Sequence, residues 1–306
     1  MFMGSRSVGT KLVLALPLIA ASCMAIASAR AQAMSPSLSF NFTSFDYPGA
    51  IATQAEGINN EGFIVGYYLD SSFVSHGFAR LPNGNFITID YPGSARTLLF
   101  GINDSGVAVG FYADSNGSDQ GFHFVYPNEF TAIDYPGASM TTPYGINDVG
   151  QVVGAWGTEP SQGGFSLSNG SYTDLLYPGA LLTYADGVNS AGTIAGSWVS
   201  TCSPICQYHG FMLTGTSGTY SDVDFPGAVM TNINGINDLN QVVGSYNNAT
   251  GPTYCWAGVP AKQQFITVDY PGSNGCVLGG INNKGHLAGW YADSNNVAHG
   301  FLATPK

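Results

Sequence analysis

From residue 47 onward the sequence repeats itself about every 45 residues. A chain written this way folds as a series of like units, not as one irregular globule. An aromatic-Pro-Gly triplet begins at Tyr47, Tyr91, Tyr135, Tyr177, Phe225 and Tyr270, at spacings of 44, 44, 42, 48 and 45 residues. A Gly-Ile/Val-Asn segment begins at Gly57, Gly101, Gly145, Gly187, Gly235 and Gly280. Further on, Gly66, Gly110, Gly154, Gly196, Gly244 and Gly289 each stand two residues before an aromatic, namely Tyr68, Tyr112, Trp156, Trp198, Tyr246 and Tyr291. A His-Gly-Phe triplet marks His76, His209 and His299, with looser versions at Gln120, Gly163 and Ala257.

Each copy reads as four short strands. In the first, apolar stretches end at Asn59 and run from Phe63 to Tyr68, joined by Asn60-Glu61-Gly62. That joint predicts a type I turn closed by a left-handed residue. The closing residue is Gly62, Gly106, Gly150, Gly192 and Gly285 in five copies and Asn240 in the sixth. Asn is the non-glycine residue that best tolerates positive φ. Third and fourth strands are expected at His76–Leu81 and Phe86–Asp90. Tyr-Pro-Gly suits a type II turn, with Pro setting φ and Gly supplying the left-handed position.

Glycine and proline (41 and 16 of 306 residues) are spread throughout, and no helical pattern separates the strands. Charged residues are only 9%, yet no apolar run of about 18 residues follows the N-terminal segment, so a helical membrane protein is excluded. Aromatics at 13% supply the apolar area that a disordered chain lacks. Six four-stranded units predict an all-β fold, a six-bladed β-propeller over residues 34–306. The chain enters inside a fourth strand, 38–46, and ends after a third, 299–303. The N-terminal strand is therefore expected to complete the last blade and remove the open sheet edges.

The first 33 residues read as an address. Arg6 and Lys11 precede an apolar stretch, 12–27, and Ala31-Gln32-Ala33 is a small-x-small cleavage site, the layout of a secretory signal peptide. Cys23 as a lipoprotein site is disfavoured, because the usual Leu three places upstream is absent. Cleavage after Ala33 takes Arg6, Lys11 and Arg30 away, leaving five basic against nineteen acidic residues and a net charge of −14. Such a surface repels nucleic-acid phosphates and anionic membranes. A secreted or periplasmic monomer in an oxidising compartment is expected, with Cys202, Cys206, Cys255 and Cys276 available for disulfides.

The repeated Ile-Asn-x-x-Gly-x-Ile-Val-Gly element, carried here by residues 58–66 and echoed at Gly235-Ile236-Asn237-Asp238, resembles that of the HAF-type extracellular repeat proteins of bacteria. The triplet departs, being His-Gly-Phe, and Asp-Tyr-Pro-Gly replaces the usual turn. The resemblance spans the post-leader chain and implies location and architecture more than activity. The strand order is also similar to that of NHL-repeat propellers, which implies that the Gly-Ile-Asn strand lies innermost.

Repeated aromatics beside a loop face are candidate sugar-stacking residues: Tyr68, Tyr112, Trp156, Trp198, Tyr246 and Tyr291. The favoured alternative is that they wedge between blades. Asp46, Asp90, Asp134, Asp224 and Asp269 precede the turn triplet, with Leu176 the exception, and Thr53, Thr97, Thr141, Thr183 and Thr231 follow its aromatic by six residues. Rings of Asp and Thr are read as struts that satisfy turn amides. Cys276 holds the sixth Thr position, so a bond to Cys255, expected in the loop before the neighbouring strand, replaces that strut, leaving Cys202 and Cys206 as a local bridge. A zinc site there lacks a second ligand pair. The histidines are assigned to capping backbone groups, with His123 and His286 isolated. Asp114-Ser115-Asn116-Gly117-Ser118-Asp119 is a candidate for weak calcium binding but lacks the EF-hand spacing.

No nucleophile elbow, Walker loop or zinc-protease motif occurs. The expectation is a secreted, non-enzymatic binding or interaction module, with a glycan or an extracellular protein as partner and no cofactor. The rival is a propeller lyase or hydrolase using unequal loops, with Asp114, Asp119, Glu159, Asp186 and Asp293 as its acid–base candidates. A purely structural envelope protein is the third reading.

Overall fold

The computed structural model describes residues 39–158, 161–202, 206–215 and 218–306; the expected leader, 1–33, and Glu159 lie outside them. After an N-terminal strand β1 (Phe40–Phe45), the first blade is built from β2 (Ala52–Ile58), β3 (Ile64–Leu69), β4 (Ser75–Arg80) and β5 (Phe86–Ile89). These four pair antiparallel in sequence order. The same meander recurs in blades two to five, at residues 97–133, 140–175, 182–222 and 230–267. Blade six takes three strands from residues 275–305 and its fourth from β1, paired from Phe40↔Pro305 to Phe45↔Gly300. The first strands of successive blades touch in a closed cycle, so the Gly-Ile-Asn strand is innermost. The protein is a six-bladed β-propeller.

The turn chemistry is realised copy by copy. Gly62 has φ 86° and its sole non-glycine counterpart, Asn240, has φ 54°. At the triplet, Ala50 N–H donates to Tyr47 O at 3.1 Å and Gly49 has φ 81°. The glycine two residues before each second-strand aromatic is enforced by packing, since a Cβ on Gly66 would lie 2.0 Å from the Gln54 carbonyl. Between blades the core holds Phe78, Phe122, Phe165, Phe211, Trp256 and Phe301, one from each third strand and all fully buried. Burial of each such ring stabilises the fold by about 3 kcal/mol.

Register corrects one sequence assignment. The fifth-blade counterpart of His-Gly-Phe is Tyr254-Cys255-Trp256, not the segment at Ala257, because Tyr254 faces Tyr246 just as His76 faces Tyr68. Cys255 therefore sits within a strand, where the sequence suggested a loop.

Candidate functional site

Antiparallel order puts the triplet turns and the loops between second and third strands on one face, and the Gly-Ile-Asn turns on the other. On the first face, the six candidate aromatics each stack flat on the turn aromatic that precedes them. Ring centroids are 3.6–4.6 Å apart and planes within 9° of parallel, from Tyr47–Tyr68 round to Tyr270–Tyr291. The outer faces of Tyr68, Trp198 and Tyr291 are covered by His76, His209 and His299, and that of Tyr246 by Tyr254, at 4.7–5.3 Å. In blade three Gly163 stands at the histidine position, and a Cβ there would meet Leu176 Cδ2 at 2.5 Å. The Asp and the His are thus replaced together. Burial, the main cause, pushes the Tyr68 and Tyr112 phenols up to about 12.

The Thr hydroxyls behave as struts, each accepting the N–H of the turn aromatic at 2.9–3.0 Å in five blades. The carboxylates do not serve turn amides. Asp90, Asp224 and Asp46 take Nδ1 of His76, His209 and His299 at 2.8–2.9 Å, and Asp224 also accepts the Gly210 N–H. The histidines are held by carboxylates and rings, not by backbone groups. Cys255–Cys276 joins blade five to blade six, and Cys202–Cys206 closes a hairpin in blade four.

The loop candidates are also committed. Asp114 Oδ1 accepts the N–H groups of Asn116 and Ser118, a turn cap that Asp70 and Asp293 reproduce in their own loops. Backbone donation, the largest influence, holds all three carboxyls below the usual range. Asp119 is buried against the Arg96 guanidinium at 2.6 Å. Burial raises its carboxyl, and Arg96 opposes that shift.

On the opposite face a collar of asparagines rings the axis. Asn59, Asn103, Asn147, Asn189, Asn237 and Asn282 each donate Nδ2 to the backbone carbonyl of the next Asn, at 2.8–3.2 Å, and the cycle closes from Asn282 onto Asn59. Each Oδ1 in turn accepts an N–H four residues on, as Asn59 does from Phe63. Around this collar lies a shallow recess of about 70 Å³ with Ile58 and its five counterparts as floor. Its rim residues interlock: Asn60 donates to both oxygens of Asp104, and Asn283 to Asp238.

One layer from that floor toward the triplet face, every innermost strand carries a β-bulge. The bulged residues are Glu56, Phe100, Tyr144, Asp186, Asn234 and Gly279, six positions without a common residue, each directly before the repeated Gly of the Gly-Ile/Val-Asn segment. A bulge re-aims its side chain, and it is a recurrent device beside functional sites. The residues follow one another around the axis. Phe100 lies 6.3 Å from the Tyr67 ring and 5.3 Å, edge-on, from Tyr144. Asn234 Nδ2 donates to Leu278 O at 2.8 Å, and Gly279 packs on the Glu56 backbone. Tyr67 and Tyr144 have phenols raised chiefly by burial, then by Glu56 and by Asp186 respectively, with the Thr142 hydroxyl opposing at Tyr144. Tyr184 and Tyr208 stack nearby at 6.3 Å. Glu56 and Asp186, in blades one and four, stand on opposite sides of the ring. Of the four acid–base candidates among the described residues, only Asp186 reaches this layer.

No family model and no curated protein matches the chain. Solved structures do. AofleA from Arthrobotrys oligospora aligns over 87% of this chain and 88% of its own at TM-score 0.55 and 11% identity. The gluconolactonase XC5397 from Xanthomonas campestris aligns over 83% and 87% at TM-score 0.51 and 10% identity. TolB from Acinetobacter baumannii aligns over 81% of this chain at TM-score 0.48 and 11% identity, and the chain spans about half its length, 53%. At these identities the likeness is one of fold.

Proposed function

We propose that this protein is an exported, non-enzymatic binding module of the HAF-repeat kind, with a glycan seated at the axial opening on the triplet-turn face. The observation that carries this reading is the bulge layer. The bulged positions follow one another around the axis and share no residue among the six copies, and they bring two carboxylates, an amide and a phenol together beside aromatic rings. Such a lining donates and accepts hydrogen bonds to hydroxyls and packs against sugar C–H faces. The flat aromatic stacks, by contrast, have one face taken by the turn aromatic in every blade and the other covered by a His or Tyr ring in four of the six. The two disulfides fit an oxidising compartment, and the expected leader supports export.

A glycan array probed with the mature protein tests this directly. Binding is expected to fall at least tenfold in Glu56→Gln and Tyr144→Phe, as for loss of one hydrogen bond to a charged or buried polar group. An array without signal, or one unchanged by both substitutions, overturns it. A hydrolase or lyase is the second reading, favoured by the opposed Glu56 and Asp186. Turnover of an array-positive glycan that is abolished by Asp186→Asn would establish it.

A further inference from the structure

The six blades provide an internal control on one another, and beside Asp269 blade five departs from the rest. In blades one, four and six the carboxylate before the triplet turn holds a histidine N–H at 2.8–2.9 Å. Asp224 shows the full pattern: one oxygen takes the Gly210 N–H at 3.0 Å, the other takes His209. In blade five Asp269 Oδ1 accepts the equivalent Cys255 N–H at 2.8 Å. The histidine position is Tyr254, whose ring keeps the stack on Tyr246 at 5.1 Å but makes no hydrogen bond or ion pair to Asp269 among the described residues. The second carboxylate oxygen has lost its donor.

A second change opens space beside it. The residue that starts the next blade is Ala52, Arg96, Met140, Leu182 or Met230 elsewhere, and here it is Gly275. A Cβ on Gly275 would touch only Thr253 O, at 3.7 Å. The result is a cleft of about 270 Å³ between blades five and six, lined by Thr253, Tyr254, Asp269, Tyr270, Ser273 and Gly275. Blade two also lacks the histidine, but Met140 follows its Asp134, and blade three lacks the carboxylate altogether. Both changes coincide only here.

We propose that this inter-blade cleft is a binding site for a small cationic nitrogen group (an imidazolium, amine or guanidinium) that donates to Asp269. The sister blades display the chemistry the carboxylate accepts, because an imidazole N–H occupies that seat three times. A half-buried carboxylate with no cationic partner favours a ligand that brings the missing charge. Tyrosine rings on two walls favour a cation over a neutral hydroxyl. Burial raises the Asp269 carboxyl, with the Cys255 N–H opposing, so binding weakens on acidification sooner than at an exposed aspartate. This site is separate from the axial layer and does not depend on it.

Imidazole is the probe, titrated at pH 6 into the mature protein and followed by amide NMR shifts and calorimetry. One saturable site is expected, with a dissociation constant on the order of millimolar for so small a ligand, and with shifts at Gly275 and Cys255. Tyr254→His supplies the side chain the repeat itself uses, and Gly275→Met the bulk that blades three and five use. Each is expected to fold as stably as the parent and to lose roughly tenfold or more in affinity, as is Asp269→Asn. No saturable binding, or equal binding to Tyr254→His and Gly275→Met, overturns the proposal. So does methyl α-glucoside binding this cleft with the same sensitivity while imidazole does not, since the donor would then be a hydroxyl. A negative glycan array leaves these outcomes unaffected.

Discussion

His299 Nδ1 lies 2.9 Å from Asp46, a residue 253 positions earlier in the chain. The pair is the same one that His76 makes with Asp90 and His209 with Asp224 inside single blades. In blade six it forms only after the two ends of the chain have met, so ring closure restores a repeat unit as well as a strand ladder.

Because both partners are partly exposed, the ion pair itself contributes little, and most of the closure energy resides in apolar contacts of β1. Phe42 packs on Tyr270 and Phe301 at 5.6 and 5.9 Å. A double-mutant cycle of Asp46→Ala with His299→Ala is expected to return a coupling of about 0.5 kcal/mol in urea unfolding. Phe42→Ala is expected to cost about 2 kcal/mol in the same measurement. A coupling larger than the Phe42 effect would reverse this ranking.

The architecture was legible because a propeller writes its geometry into every copy. Gly62 and Asn240 share a left-handed turn, and Gly66 has no room for a Cβ. Where one blade substitutes several anchors at once the signal fades: Tyr254-Cys255-Trp256 keeps the register of His-Gly-Phe without one residue in common, and only strand pairing reveals it. The axial layer was invisible for the opposite reason. A search for repeats discards positions that differ, and Glu56, Phe100, Tyr144, Asp186, Asn234 and Gly279 are positions whose difference is the information. The bulge that re-aims them has no residue signature of its own.

The collar of asparagines predicts a penalty out of proportion to one neutral side chain. Asn147 is 4% exposed; its amide satisfies the Asn189 carbonyl and accepts the Gln151 N–H. Asn147→Ala leaves two buried backbone groups without partners, and about 2–4 kcal/mol of stability is expected to be lost. Asn147→Asp retains the acceptor and loses the donor, so it should fall between the two. Denaturant unfolding of the three proteins decides the order.

Acid stability should trace to the loop caps. Asp70, Asp114 and Asp293 have carboxyls held below the ordinary 3.8, chiefly by the N–H groups of Val74, Ser118 and Val297. A folded-state value below the unfolded one means stability that is fully present above pH 3.8 and is lost as pH falls through the folded value. Replacing all three by Asn keeps a cap oxygen and removes the titration. Melting temperatures measured from pH 5 to pH 2 are expected to fall less steeply in that variant than in the parent. Parallel curves would place the acid sensitivity elsewhere.

The disulfide between blades five and six offers the last test, because the repeat specifies what it replaces. Cys276 stands where five threonines accept the turn amide, and Cys255 where the other five blades have a glycine; their Cα atoms are 5.1 Å apart. Closing a loop of 21 residues stabilises by about 3 kcal/mol on the chain-entropy account. Cys255→Ser with Cys276→Ser should lose most of that. Cys255→Gly with Cys276→Thr should lose less, because the threonine hydroxyl can accept the Tyr270 N–H as its counterparts do at 2.9–3.0 Å. If the two double variants melt together, the strut contributes nothing in this blade, and the bridge stabilises the ring by cross-linking alone.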